Sequence, residues 1–233
     1  MKVGIIGAMD IEVEELKQRM NNAVSQIHSK IQFHSGTLEN TEVVAAVSGI
    51  GKVNAAVCAQ TMILLYSPDM IINTGVAGGL DPALGIGDIT VSTAVVQHDH
   101  KTLEDPPGYI QNLGLSEIPA SQDLTRRFLE ASAVIKNVKV VPGIIASGDQ
   151  FIKDKKENLE IREDFGAAAV EMEGAAIGHT CYLNGLPFCV IRSISDSASE
   201  SSHMEFWEFV KIACANSVTL MIEFLRKLNT GRY

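Results

Sequence analysis

Between Val170 and Asp196 the chain reads VEMEGAAIGHTCYLNGLPFCVIRSISD, which sets Glu173, Arg192 and Asp196 among apolar and small residues. A buried charge costs on the order of several kcal/mol unless it is paired, so these side chains need partners or a substrate. Carboxylates in such surroundings are residue types that move protons, because desolvation raises their pKa. A further acid, Glu12, follows the apolar GIIGAM segment. Taken by itself, Glu12 reads first as an acid favouring the dipole in the opening turn of a helix, and only second as a catalytic group.

The elements that must position these groups follow from spacing. Ala167 to Val170 reads as a short apolar strand, and Glu171 to Asn184 as a helix closed by Gly185, with Pro187 just beyond. In the strand expected over Phe188 to Asp196, a period of two puts Val190, Arg192, Ile194 and Asp196 on one face. Asp196 then sits at the carboxyl end, where open α/β sheets bind ligands.

A chain of 233 residues with 46% hydrophobic content can bury a large core, most simply as one α/β domain over 1–233. The formal charge of −9, from 19 basic and 28 acidic residues without a basic run, disfavours nucleic acid and suits a small neutral or cationic ligand. Cys58, Cys181, Cys189 and Cys214 lack CxxC spacing and read as reduced buried thiols of a cytoplasmic protein. No basic leader precedes the strand-like KVGIIG and no run of ~20 apolar residues occurs, so neither export nor a membrane is expected.

From the start, Lys2 to Ile6 reads as a buried strand and Asp10 as the N-cap of the following helix. GIIGAM lacks GxGxxG spacing, and Asp10, Glu12, Glu14 and Glu15 would repel a pyrophosphate there. Ile31 to Leu38 and Glu42 to Val47 read as a hairpin, and SGIGKVNAA opens an alanine-rich helix towards Tyr66. Ser48 to Lys52 is not a P-loop, because Ala46 and Val53 stand where Gly and Ser or Thr should be.

Asp69 to Asn73 is a strand expected to end in the glycine-rich turn NTGVAGGLD, whose Gly78 would let backbone approach a ligand. Gly87 to Asp99 is a long strand, and His98 and His100 at its end lack the further ligands that a metal needs, so no metal is expected. Lys101 to Ala120, broken by prolines, is a loop of the kind that forms lids or subunit contacts. A helix over Asp123 to Val134, a strand over Val138 to Ala146 and an exposed helix over Lys153 to Asp164 follow. Between the last two, Phe151 and Ile152 of SGDQFI read first as core.

A capping box, Ser202 with Glu205, opens the final helix over Met204 to Leu228, whose core face would include Val210, Ile212 and Leu225. Phe206 and Trp207 are core or pocket wall. The alternation predicts a mixed, twisted central sheet flanked by helices on both faces.

Nearly the whole chain resembles the 5′-methylthioadenosine/S-adenosylhomocysteine nucleosidases of the purine nucleoside phosphorylase-like superfamily. The resemblance rests on GIIGAM with Glu12 beyond it, SGIGKVNAA, INTG and AGGL at Ile72 to Leu80, GDI at Gly87, SGDQFI, VEME at Val170 to Glu173, and RSISD at Arg192 to Asp196. It implies hydrolysis of the adenine–ribose bond without a cofactor, on small adenine nucleoside thioethers. Asp196 would then be the general acid for the leaving adenine, oriented by Ser195, and Glu12, near Arg192, would activate water. Glu173 and the Met172 backbone would bind the ribose hydroxyls, Phe151 would stack on adenine, and the Ile152 backbone would read its edge. Met9, Ile50 and Phe206 resemble the wall of the 5′-thioalkyl pocket, and the loop around Tyr109 resembles the segment that closes a neighbouring subunit's pocket, implying a homodimer. Val76 stands where members of the family often carry serine. A phosphorylase of the same superfamily and a non-catalytic nucleoside sensor are the alternatives. The acids at 10 and 12 oppose the first, and the retained acid, water-holding and ribose-binding carboxylates oppose the second.

Overall fold

The computed structural model describes residues 1–197 and 203–230, and side chains over 1–196 and 207–228. Ten strands make one mixed sheet among the described residues. In chain order they are β1 (Lys2–Gly7), β2 (Asn21–His28), β3 (Ile31–Leu38), β4 (Thr41–Val47), β5 (Met70–Gly79), β6 (Ile89–Gln97), β7 (Glu117–Pro119), β8 (Val140–Ser147), β9 (Ala167–Glu171) and β10 (Phe188–Ser197). The helices are α1 (Asp10–Arg19), α2 (Lys52–Tyr66), α3 (Gln122–Ala131), α4 (Lys155–Phe165), α5 (Gly174–Leu183) and α6 (His203–Thr230), with a 3-10 turn at Ser132–Val134.

Strand order is β10-β6-β8-β9-β5-β1-β4-β3-β2, with β7 on β6. Because β10 also pairs with β5, the strands β5, β10, β6, β8 and β9 close a ring, where an open sheet was expected. The parallel β1, β5 and β10 run as near-continuous apolar segments because both their faces are covered. On one face, α1, α3 and α6 bury Leu16, Phe128 and Leu225 against Ile5, Ile72 and Ile191. On the other, the small residues of α2 and α5, among them Ala55, Ala59 and Ala175, pack close to Ile71 and Val190. The four cysteines are free and buried, and burial pushes each thiol up to about 12.

Several expectations are corrected. NTGVAGG is not a turn, because β5 continues through it to Gly79 and pairs with β10. Gly75 is needed for close approach: a Cβ there would clash with the Arg192 guanidinium and sit 2.5 Å from Glu12 Oε1. The 167–170 strand extends to Glu171, and α5 starts only at Gly174, because the Glu171 carboxylate occupies the space at that helix's N-terminus. Asp10 is the first helical residue of α1, not its cap, because Glu12 turns back to take the Met9 N–H. Asn21–His28, which carries no alternating apolar pattern, is an exposed edge strand paired with β3. Ile212 is exposed, on the outer side of α6. Ser202 and the side chain of Glu205 lie outside the described residues.

The stacked pair of Phe128 on α3 and Phe224 on α6, with ring centroids 4.0 Å apart, joins two helices of one face. Phe128→Ala should cost about 3–5 kcal/mol in urea unfolding. A loss below about 1 kcal/mol would show that the two helices can close over the gap.

Candidate active site

The carboxyl ends of β1, β5, β8, β9 and β10 converge on a cavity of about 250 Å³. Met9 and Glu12 enter it after β1, Ile50 before α2, and Val76 and Gly78 from β5. Phe151 and Ile152 follow β8, Glu171, Met172 and Glu173 span β9 to α5, Ser195 and Asp196 end β10, and Trp207 comes from α6. Phe151 was first read as core, yet it is 52% exposed on the cavity rim, whereas Ile152 is buried. The side chain of Phe206 lies outside the described residues.

Arg192, 1% exposed, lies behind this lining. Its Nη2 pairs with Glu171, donates to Asn73 Oδ1 at 2.6 Å and lies 3.5 Å from Glu173 Oε2. Its Nη1 is 4.0 Å from Glu12 Oε1 and donates to the Val76 carbonyl at 3.4 Å. One guanidinium thus faces three carboxyl groups.

Glu12 accepts the N–H groups of Ala8 at 2.7 Å, Met9 at 2.9 Å and Val76 at 3.0 Å. Burial nevertheless pushes its carboxyl above the usual range, against the opposing pull of Arg192 and these N–H groups. The helix-capping and site roles of Glu12 are therefore one arrangement: the side chain that caps α1 faces the cavity with the same carboxyl. Val76 donates its backbone N–H to Glu12, which any residue type except proline could do.

Glu173 takes the Gly51 N–H at 2.9 Å, and burial pushes it up to about 7, helped by Glu171 and opposed by Arg192. Across the cavity, burial also raises Asp196, while the Ser195 hydroxyl, donating at 3.0 Å, opposes that rise. The strict alternation expected for β10 breaks at a register shift between Ile194 and Asp196, which brings both Ser195 and Asp196 to the cavity.

Glu171 is the site residue missed from sequence. It is buried, touches Arg192 and Ser147, and accepts the N–H groups of Glu173 at 2.9 Å and Gly174 at 2.8 Å. The signal available was its place as the last residue of an apolar strand, one step before the cavity.

A second set of contacts fixes the rim. Asp149 accepts the Lys52 N–H at 2.8 Å, and Lys52 Nζ reaches Asp99 at 2.6 Å, so the segments carrying Ile50 and Phe151 are tied together. His98 is buried beside Gly148.

The chain matches the family model of the phosphorylase superfamily over residues 2–226. It is 42% identical over 232 residues to a 5′-methylthioadenosine/S-adenosylhomocysteine nucleosidase of an Exiguobacterium species, covering 98% of this chain and 99% of that one. The crystal structure of such a nucleosidase from Colwellia psychrerythraea, in complex with adenine, is similar with a TM-score of 0.92 at 38% identity, covering 98% and 96% of the two chains. That from Neisseria meningitidis, in complex with methylthio-immucillin-A, also gives 0.92, at 36% identity and coverages of 97% and 99%. The chain belongs to the 5′-methylthioadenosine/S-adenosylhomocysteine nucleosidase family within the phosphorylase superfamily.

Folding raises Glu173 from 4.5 to about 7, so the folded state holds a proton that the unfolded chain releases. This contribution to stability is present below the unfolded value and is lost as pH rises through the folded one. Between those two values the wild-type Tm should fall with pH more steeply than that of Glu173→Gln, by on the order of several degrees. Parallel slopes in thermal melts would place the raised ionisation elsewhere.

Proposed function

We propose that this protein hydrolyses the N-glycosidic bond of 5′-methylthioadenosine and S-adenosylhomocysteine, releasing adenine with 5′-methylthioribose or S-ribosylhomocysteine, and needs no cofactor. The observation that carries the reading is the pair of carboxyl groups, buried Glu12 from α1 and half-buried Asp196 from the end of β10, brought to one cavity, with Arg192 beside Glu12 and Glu173.

In this reading the bond between the ribose anomeric carbon and the adenine nitrogen breaks, and its electron pair leaves with the base. Asp196, whose carboxyl burial raises above the usual range, gives its proton to the imidazole-ring nitrogen of adenine, which would otherwise leave as a poor anionic group. Water adds to the cationic sugar carbon as its proton passes to Glu12. The raised pKa of Glu12 makes it a stronger base than an exposed carboxylate, while its three N–H donors and Arg192 favour the ionised form that must accept. Glu173 and the Met172 backbone hold the ribose hydroxyls, Phe151 stacks on adenine, and the Ile152 backbone reads its edge. Ser195 orients Asp196, Gly78 lets the β5 backbone come close, and Met9 and Ile50 wall the thioalkyl group.

The finer reading is a cytoplasmic homodimer. Val53, 74% exposed, leaves apolar surface on α2 near Ile50 in the chain, Leu64 is 68% exposed towards the other end of that helix, and Leu103 projects fully into solvent from the loop leading to Tyr109. A second copy would cover such surface and bring that loop to the pocket mouth. Four free thiols suit a reducing compartment, and among the described residues no helix is long and apolar enough to cross a membrane.

Adenine release from both nucleosides, with and without phosphate, tests the reaction. Free thioribose at the same rate in either buffer is expected, and phosphate-dependent formation of a sugar phosphate would make the protein a phosphorylase. Asp196→Asn and Glu12→Gln should each lower kcat by about 10²–10⁴-fold while adenine still binds. Wild-type rates from either variant would remove that carboxylate from the mechanism.

A further inference from the structure

Residues at an N-cap ordinarily turn their side chains onto their own helix. Glu173 occupies the N-cap of α5 but makes no such bond. Its carboxyl is turned instead to Gly51 N–H and towards Arg192. The helix is capped from outside: Glu171, two residues upstream on β9, accepts the Gly174 N–H with both oxygens, at 2.8 and 3.0 Å, and the Glu173 N–H at 2.9 Å. The Ser147 hydroxyl donates to Glu171 and accepts the next free N–H, that of Ala175, at 2.7 Å. Among the described contacts, every polar neighbour bonded to the Glu171 carboxylate is a donor.

We propose that Glu171 is a positioning residue for the hydrolysis: by capping α5 with Ser147 and engaging Arg192 directly, it frees the Glu173 carboxyl to face the sugar. The proposal rests on the nucleosidase reading. Without Glu171, the α5 N–H groups and the Arg192 guanidinium would both draw Glu173 away from the cavity. The charge of Glu171 also acts on Glu173, as the second cause, after burial, of its raised pKa. The groups facing this pair are Arg192 and, beside it, Cys214 on α6, with Glu12 on α1 and His98 beyond the end of β6.

The test is kcat and KM for 5′-methylthioadenosine across pH, on the full-length wild type and Glu171→Gln, with thermal melts on both. In Glu171→Gln, kcat/KM should fall about 10²-fold at neutral pH, chiefly through KM. The ionisation seen near neutrality in the wild-type profile should move down by about one unit, because a like charge is gone and Arg192 turns to Glu173. A profile that keeps its position, with activity lost only in step with folded protein, would reduce Glu171 to a structural cap and overturn the proposal. If Glu171→Gln does not fold, Ser147→Ala removes one arm of the same brace while the Glu171 charge stays. It should raise KM about tenfold with the profile unmoved, and an unchanged KM would overturn the proposal. A wild type that releases no adenine would defeat the nucleosidase reading itself, an outcome separate from either variant's behaviour.

Discussion

The ion cluster around Arg192 is the constraint on which the site depends. A guanidinium with almost no access to water must be matched by anions, and Glu12, Glu171 and Glu173 surround it from α1, β9 and the start of α5. Burial raises both Glu12 and Glu173 against the pull of Arg192, and the neighbouring Glu171 adds to the rise of Glu173. The cluster therefore sets geometry and protonation together. It also dictates sequence elsewhere, since β5 must lack a side chain at Gly75 for Arg192 and Glu12 to meet across it.

The ring closure of β5, β10, β6, β8 and β9 gives the cluster its rigidity. Arg192 leaves the middle of β10, where β5 and β6 flank it on both sides, so its backbone has little freedom to shift. Asp196 leaves the same strand beyond a register shift, near its carboxyl end. A single strand thus carries the buried cation to one part of the cavity and the raised acid to another.

Much of this was legible in the chain. Glu173, Arg192 and Asp196 stood out because charge in apolar surroundings needs a reason, and the period of two in Phe188–Ile194 held as far as the register shift. Glu171 escaped because a helix drawn three residues too early placed it on a helical turn, where an acid at the N-terminus asks for no further explanation. The glycines at 75, 78 and 79 were read as a turn that either lets backbone approach a ligand or makes a bend, since close approach and backbone turning leave the same residue type. Pairings of β10 with both β5 and β6 join segments far apart in the chain and leave no local trace. The edge strand β2, exposed almost throughout, had no apolar face to reveal it.

The charge state of the cluster is accessible to infrared spectroscopy, through the C=O stretch of a protonated carboxyl group. Difference spectra across pH should show in wild type a protonated carboxyl that titrates near 7 and is missing from Glu173→Gln. A wild type whose Glu173 is already fully ionised well below that pH would contradict the account, because Arg192 would then be balancing the glutamates without a retained proton.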